Sequence, residues 1–210
     1  MRFLCLADTH GVLPDLLPKG TFDAILHAGD LDDDRALRRL ERMARRRKVP
    51  FCFVLGNHDL GLADPESAND LTSRALRIAD GLVIAGIGCP AKVGLLPTDA
   101  DIGNACAQTI AATKAVVRKN DHILLLSHYP PVLEESEAYA SVAQGIFSLD
   151  VGDVLRKLEP VALVHGHSHF LQLHQERWRG TMVACAGPDW GLLTVDVERG
   201  HTTYSPWVGA

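Results

Sequence analysis

Five short clusters of ligand-type residues punctuate the chain: Asp8-Thr9-His10, Gly29-Asp30, Gly56-Asn57-His58-Asp59, Ser127-His128 and Gly166-His167-Ser168-His169. Together they offer carboxylate oxygens, imidazole nitrogens and one carboxamide, with no thiolate among them. Such a donor set suits divalent Mn, Fe, Co, Ni or Zn better than a soft Cu(I) site. Asp8 alternates with His10, and His167 with His169, so each pair would share one side of an extended segment. Taken singly the clusters say little. Asp-x-His and Gly-Asp occur in ordinary turns, His128 before Tyr129-Pro130-Pro131 could be a core or loop histidine, and Gly-His-Ser-His could be a surface loop. Their joint order and placement carry the inference.

That placement depends on the elements in front of each cluster. Apolar runs over Phe3 to Ala7, Ala24 to Ala28, Phe51 to Leu55, Leu82 to Ile87, Ile123 to Leu126 and Val161 to Val164 read as buried strands. Helical patterns over Asp34 to Lys48 and Asp99 to Lys119 alternate with them, which predicts an α/β fold. Five of the six strands lead directly into a cluster. The C-terminal ends of strands in open α/β sheets form the crevice where ligands bind, so residues distant in sequence can converge there. The stretches Leu171 to Gln175, Met182 to Ala186, Leu192 to Val197 and Thr202 to Tyr204 read as hairpins or a meander. No linker, low-complexity tract or internal repeat interrupts residues 1–210, so a single domain is expected. The arginine-rich helix over 34–48 is read as a solvated face. Its Asp32, Asp33 and Asp34 at the start and its cations at the end suit the helix dipole.

Composition narrows the function classes. Hydrophobic residues make up 47% and charged residues 22% of the 210, a globular balance. A formal net charge of -5 gives no general attraction to nucleic-acid backbone or to anionic membrane. No apolar run approaches a membrane span. The chain reaches Asp8 too soon for a signal peptide, so a cytoplasmic location is expected. Cys5, Cys52, Cys89, Cys106 and Cys185 lie far apart and read as small buried hydrophobes in a reducing compartment. His27 and His165, within apolar strands, read as core histidines or as hydrogen-bond partners behind the ligands.

From residue 8 to residue 169, the five clusters resemble the five blocks of the calcineurin-like metallophosphoesterases. The resemblance implies a four-layer α-β-β-α sandwich, in which two mixed β-sheets are flanked by helices and the late strands complete the second sheet. It also implies two divalent metal ions, one held by Asp8, His10, Asp30 and His169. The other would be held by Asn57, His128 and His167, with Asp30 bridging. Mn(II) is the expected metal, with Fe, Zn, Co or Ni as alternatives. Two cations about 3.5–4 Å apart can acidify a bridging water and orient an ester for in-line attack on phosphorus. His58 is then the candidate acid for the leaving oxygen, and Asn57 and His58 are the candidate substrate contacts. Asp59 reads either as the orienting partner of His58 or as a turn residue.

The second and third blocks depart from two branches of that family. Asp30 is followed by Leu31-Asp32-Asp33-Asp34 rather than Val-Asp-Arg-Gly, the third block ends in Asp59 rather than Glu, and no tyrosine follows Asp30 closely. The chain is more similar to compact bacterial and archaeal members that act on phosphodiesters. A phosphodiesterase acting on a small phosphate ester, nucleotides included, is therefore expected. A single-strand nuclease, a phosphomonoesterase and a non-catalytic metal-binding scaffold are the alternatives. Residues 88–100 and 132–148 are expected to overhang the site, with Lys92, Tyr139 and Gln144 as candidate substrate contacts.

Overall fold

Alternation within the first strand already implies two cores. In β1 (Arg2–Leu6), Phe3 and Cys5 face one way, and Leu4 and Leu6 the other, yet all four are fully buried. A strand buried on both faces must lie inside a layered structure, and the computed structural model, which describes residues 1–15, 18–60, 62, 69–89, 95–140 and 148–207, has that form. β1 is followed by β2 (Ala24–His27), α1 (Asp34–Arg47), β3 (Phe51–Phe53), β4 (Asn69–Asp70), β5 (Ala75–Ala79), β6 (Leu82–Ile87), α2 (Asp99–Val116) and β7 (His122–Ser127). Then come α3 (Leu149–Leu158), β8 (Ala162–His165), a 3-10 turn (His169–Leu171), β9 (Gln175–Trp178), β10 (Thr181–Cys185), β11 (Gly191–Asp196) and β12 (His201–Pro206).

The strands form two six-stranded mixed sheets, ordered β12-β11-β1-β2-β3-β4 and β5-β6-β7-β8-β10-β9. β1 to β4 run parallel in the first sheet, and β6, β7, β8 and β10 in the second. Phe3, Cys5, Leu26 and Val54 of the first sheet meet Ile84, Leu126, Val164 and Ala184 of the second in the inter-sheet core. On the outer side of the first sheet, Leu4, Leu6, Ile25 and Phe53 pack on Leu37 and Leu40 of α1. On the outer side of the second, Ala85, Leu125 and Leu163 pack with Ile102 and Cys106 of α2 and Val154 and Leu155 of α3. The four-layer sandwich thus follows from two-residue alternation in strands that are covered twice.

Local chemistry sets the helix ends. The Asp33 side chain caps α1 by accepting from Arg35 N, and Lys48 closes it in the left-handed region. The arginines of α1 are used locally: Arg39 donates to Pro14 O, Arg45 pairs with Glu41, and Arg47 lies over the Phe22 ring. Thr98 and Asp101 form a capping box at α2.

Two expectations about the late strands need correction. Leu171 to Gln175 is not a strand: residues 169–171 form the 3-10 turn, and the strand lies at Gln175–Trp178, on a sheet edge with polar residues facing out. Nor do the late strands complete one sheet. β9 and β10 finish the second, while β11 runs antiparallel to β1 and, with β12, finishes the first. The crossing is anchored where Ala7 N donates to Gly187 O, between β10 and β11.

Candidate metal centre

The parallel strands β1, β2, β3, β7 and β8 end at the same edge of the sandwich, and the five clusters begin there. Backbone bonds lace the ends together: Asp8 N to Gly29 O, His10 N to Asp30 O, Gly11 N to Leu31 O and Gly166 N to His128 O. Asp8, His10, Asp30, Asp32 and His167 have φ of 52°, 43°, 57°, 59° and 64°. Asp, Asn and His enter this left-handed region more readily than other side chains, but conformational strain of this kind costs on the order of 1–3 kcal/mol per residue. A network must hold them in place.

Asp59 supplies much of it. Its Oδ2 accepts from Asp30 N and Gly56 N, each at 2.8 Å, and its Oδ1 from Leu31 N at 2.6 Å and Asp32 N at 2.8 Å. Through these four bonds Asp59 ties the second cluster to the third, as a turn residue would. Its side chain is buried, and that burial raises its pKa to about 6 against the opposing pull of the amides. Close packing does the rest. A Cβ at Gly56 would lie 2.2 Å from Asp30 Oδ1, and one at Gly29, where φ is +93°, would lie 2.4 Å from His128 Nδ1.

The side chains grade from floor to rim. Asp8, Asp30 and His128 are buried, Asn57 and His167 half-buried, and His10, His58 and His169 exposed. Ligand atoms of Asp30, His128 and His167 all lie within 4.8 Å of one another. The His10 ring is 5.3 Å from that of His58 and 5.6 Å from that of His169. His58 N donates to Asp30 Oδ1 at 2.9 Å, and His167 N to Asp8 Oδ1 at 2.9 Å, so each carboxylate spans two clusters. The oxygens of Asp30, Asp32 and Asp59 also approach one another, but those of Asp59 are engaged by amides.

The donor chemistry fits a cation. His128 Nδ1 lies 2.9 Å from Ala28 O, which can only accept, so Nδ1 carries the proton. Burial lowers the His128 pKa to about 4, keeping the ring neutral with a lone pair on Nε2. That lone pair faces Asn57 Oδ1 at 2.8 Å and Asp30 Oδ1 at 3.6 Å. A cation placed among these three acceptors would satisfy them together. Burial likewise lowers His167 to about 4, so this imidazole is also neutral. Asp8 Oδ2 is buried without a hydrogen-bond partner among the described residues, and desolvation pushes the Asp8 carboxyl up to about 7. A bound cation would reverse that penalty.

All nine residues expected at the site therefore lie at this one edge. Tyr139, expected as a substrate contact, is fully buried, and its hydroxyl lies 2.8 Å from His165 Nε2. Lys92 and Gln144 lie outside the described residues. His27 and His165 are buried supports, with His27 Nε2 3.1 Å from Thr9 Oγ1. Sequence reasoning missed Tyr129, whose ring lies 4.6 Å from that of His167 and 5.1 Å from that of His128. Its adjacency to His128 was the available signal. It also missed Asp32, whose Oδ2 lies 2.7 Å from His10 Nδ1.

Comparison with known proteins agrees with this geometry. Residues 1–171 match the family model described as calcineurin-like phosphoesterase. No curated protein matches the chain. Among solved structures, a Thermus thermophilus protein, TT1561, superposes with a TM-score of 0.64 at 16% identity, over 98% of both chains. Phosphopantetheinyl hydrolase from Mycobacterium tuberculosis gives a TM-score of 0.56 at 17% identity, over 88% of this chain and 89% of the other. A Staphylococcus aureus protein provisionally assigned as a 5'-nucleotidase gives 0.57 at 15% identity, over 98% of this chain. The present chain spans only 52% of that longer protein. At these identities the likeness concerns the fold.

Proposed function

The chain belongs to the calcineurin-like phosphoesterase family of metal-dependent phosphoester hydrolases, and on that premise we propose that it is a phosphodiesterase working with two divalent cations. In this reading Asp8, His10, Asp30 and His169 hold one ion, and Asp30, Asn57, His128 and His167 the other. When bound, the pair would supply Lewis-acid polarisation of the ester and acidify a water molecule. The observation that carries the reading is the convergence of His128 Nε2, Asn57 Oδ1 and Asp30 Oδ1, a set of acceptors that a bound cation would satisfy.

The chain's own groups take the remaining roles. Asn57 and His58 contact the phosphate, and His58, exposed at the rim and tied through its amide to Asp30, protonates the leaving oxygen. Asp59 serves this chemistry only by holding the loops. The nitrogen and oxygen donor set supports Mn(II), with Fe, Zn, Co or Ni as substitutes; all five cysteines are buried, away from any ligand role. The five clusters contain no Lys or Arg. A diester carries one negative charge where a monoester carries up to two, so ligand clusters without a Lys or Arg among them suit the diester. The substrate is a small ester, nucleotides included, and residues 1–210 act as one domain in the cytoplasm. The shared inter-sheet core supports the first of these last two statements, and the buried free thiols support the second. No helix among the described residues is long and apolar enough to cross a membrane.

The test compares hydrolysis of bis(p-nitrophenyl) phosphate and p-nitrophenyl phosphate by metal-stripped protein supplied with Mn(II). Wild type, His128→Ala and His58→Ala are measured together. The reading expects metal-dependent turnover that favours the diester. It also expects collapse in His128→Ala, and in His58→Ala a lower kcat with both metals retained. Monoester preference would redirect the assignment to a phosphatase, and absence of turnover by folded, metal-loaded protein would leave a binding scaffold.

A further inference from the structure

Asp32 stands outside the proposed ligand set yet touches it, its carboxylate lying within 4.8 Å of ligand atoms of His10 and His58. Its Oδ2 lies 2.7 Å from Nδ1 of His10, twenty-two residues earlier in the chain. A carboxylate can only accept, so the contact assigns the proton to Nδ1 and leaves Nε2 as the ring's ligand atom. Asp32 is itself held on its main chain. Its φ is +59°, and its N–H donates to Asp59 Oδ1, the carboxylate that also gathers the amides of Asp30 and Leu31. Backbone bonds from His10 N to Asp30 O and from Gly11 N to Leu31 O fix the two loops side by side, bringing Asp32 to His10. The start of α1 does not use Asp32, because Asp33 provides the cap and Asp34 begins the helix.

We propose that Asp32 is a positioning residue for the metal centre, fixing the tautomer and ring orientation of His10 and thereby the affinity of one of the two ions. The inference rests on the reading of His10 as a ligand. It forms a relay in which Asp59 sets the backbone of Asp32, Asp32 sets His10, and His10 meets the ion. Carboxylates hydrogen-bonded to ligating histidines typically contribute about 10–100-fold to metal affinity.

The experiment titrates metal-free protein with Mn(II) and follows the free aqua ion by electron paramagnetic resonance, giving the number of ions bound and the affinity of each. The variants are Asp32→Gly, Asp32→Asn, His10→Ala and the double variant Asp32→Gly/His10→Ala, each checked for folding by circular dichroism. Glycine relaxes the left-handed backbone as it removes the carboxylate, and asparagine keeps both an acceptor oxygen and tolerance of that backbone. Wild type is expected to bind two ions. Asp32→Gly should weaken one of them by about 10–100-fold and leave the other unchanged. Asp32→Asn should fall between it and wild type. In the His10→Ala background, removing Asp32 should cost nothing further. Two ions bound by Asp32→Gly with wild-type affinities, or a full additional loss in the double variant, would overturn the role of Asp32 and leave the two-metal reading standing. Fewer than two ions in the wild type would overturn both.

Discussion

Asp59→Asn separates a loop tie from a catalytic partner, because the two roles predict opposite readouts. The carboxylate accepts four main-chain N–H groups, two on each oxygen, at 2.6–2.8 Å. Asparagine has the same shape but one acceptor oxygen. Whichever way the amide turns, two of the four bonds are lost and an NH2 group faces two N–H donors. Hydrogen bonds to a charged group contribute about 1.5–3 kcal/mol each, so the gross loss is about 3–6 kcal/mol. Burial opposes the charge, as the rise of the Asp59 pKa to about 6 records, and neutralising it recovers part of that loss. A net cost near the low end, about 3 kcal/mol, lowers the melting temperature of a chain this size by about 6–12 °C. The assay is thermal unfolding of metal-free protein at pH 8, where the wild-type carboxylate is ionised. At pH 5, below the raised folded pKa, the folded state gains from holding the Asp59 proton, a gain asparagine cannot make, so the gap should widen. A melting temperature within about 2 °C of wild type at pH 8, combined with a lower kcat and an altered acid limb of the rate profile, would refute the loop tie and return Asp59 to His58.

Other perturbations follow from the same contacts. Gly56→Ala puts a methyl group 2.2 Å from Asp30 Oδ1 and 2.7 Å from His128 Cε1; Mn(II) titration should show at least about a tenfold loss of affinity, as for displaced ligands generally, with helix content unchanged by circular dichroism. Tyr139→Phe removes the hydroxyl from buried His165 Nε2 and should cost about 1–3 kcal/mol in urea unfolding, without changing metal stoichiometry. For pH, His27 is lowered to about 3, and His128, His165 and His167 to about 4, chiefly by burial, so their contribution is present above the unfolded value and is lost as pH falls through the folded ones. Asp8, raised to about 7, and Asp59, raised to about 6, act in the opposite sense, their contribution being lost as pH rises. Four histidines against two carboxylates leave about two extra protons on the unfolded chain near pH 5. Metal-free protein should therefore lose about 2–3 kcal/mol per pH unit there, measurable by urea unfolding. Because metal binding must displace the Asp8 proton, the rise in melting temperature on adding Mn(II) should grow between pH 6 and pH 8.

How much of this was legible beforehand depends on where the information resides. The six strands that lead the sandwich were readable because each is a continuous apolar run, buried on both faces, and five of the six stop at a polar cluster. β4 and β5 were not: Asn69–Asp70 is two polar residues, and Ala75–Ala79 is half-buried throughout, without alternation. α3 was missed because only Val151, Gly152, Val154 and Leu155 of its ten residues are buried, too few to mark a period. The split of the late strands between the sheets is set by pairing across the sandwich, which local pattern does not encode. At the site the ligand types are local and were visible. Asp32 was not, because in sequence it is one of three consecutive aspartates, and its role comes from a backbone angle and from a partner twenty-two residues away.

With the proposed metal site, the left-handed conformations of Asp8, His10, Asp30, Asp32 and His167 set two demands on each residue: the side chain must suit that site, and the backbone must accept a positive φ. Glutamate and cysteine can meet the first demand but not readily the second, while aspartate, asparagine and histidine meet both. In a saturation library these positions would be screened for shape before they were screened for chemistry. Glutamate and cysteine, though potent ligands, would fail, and weakly binding asparagine would survive. The permitted alphabet at this edge of the sandwich is thus narrower than coordination chemistry alone would set.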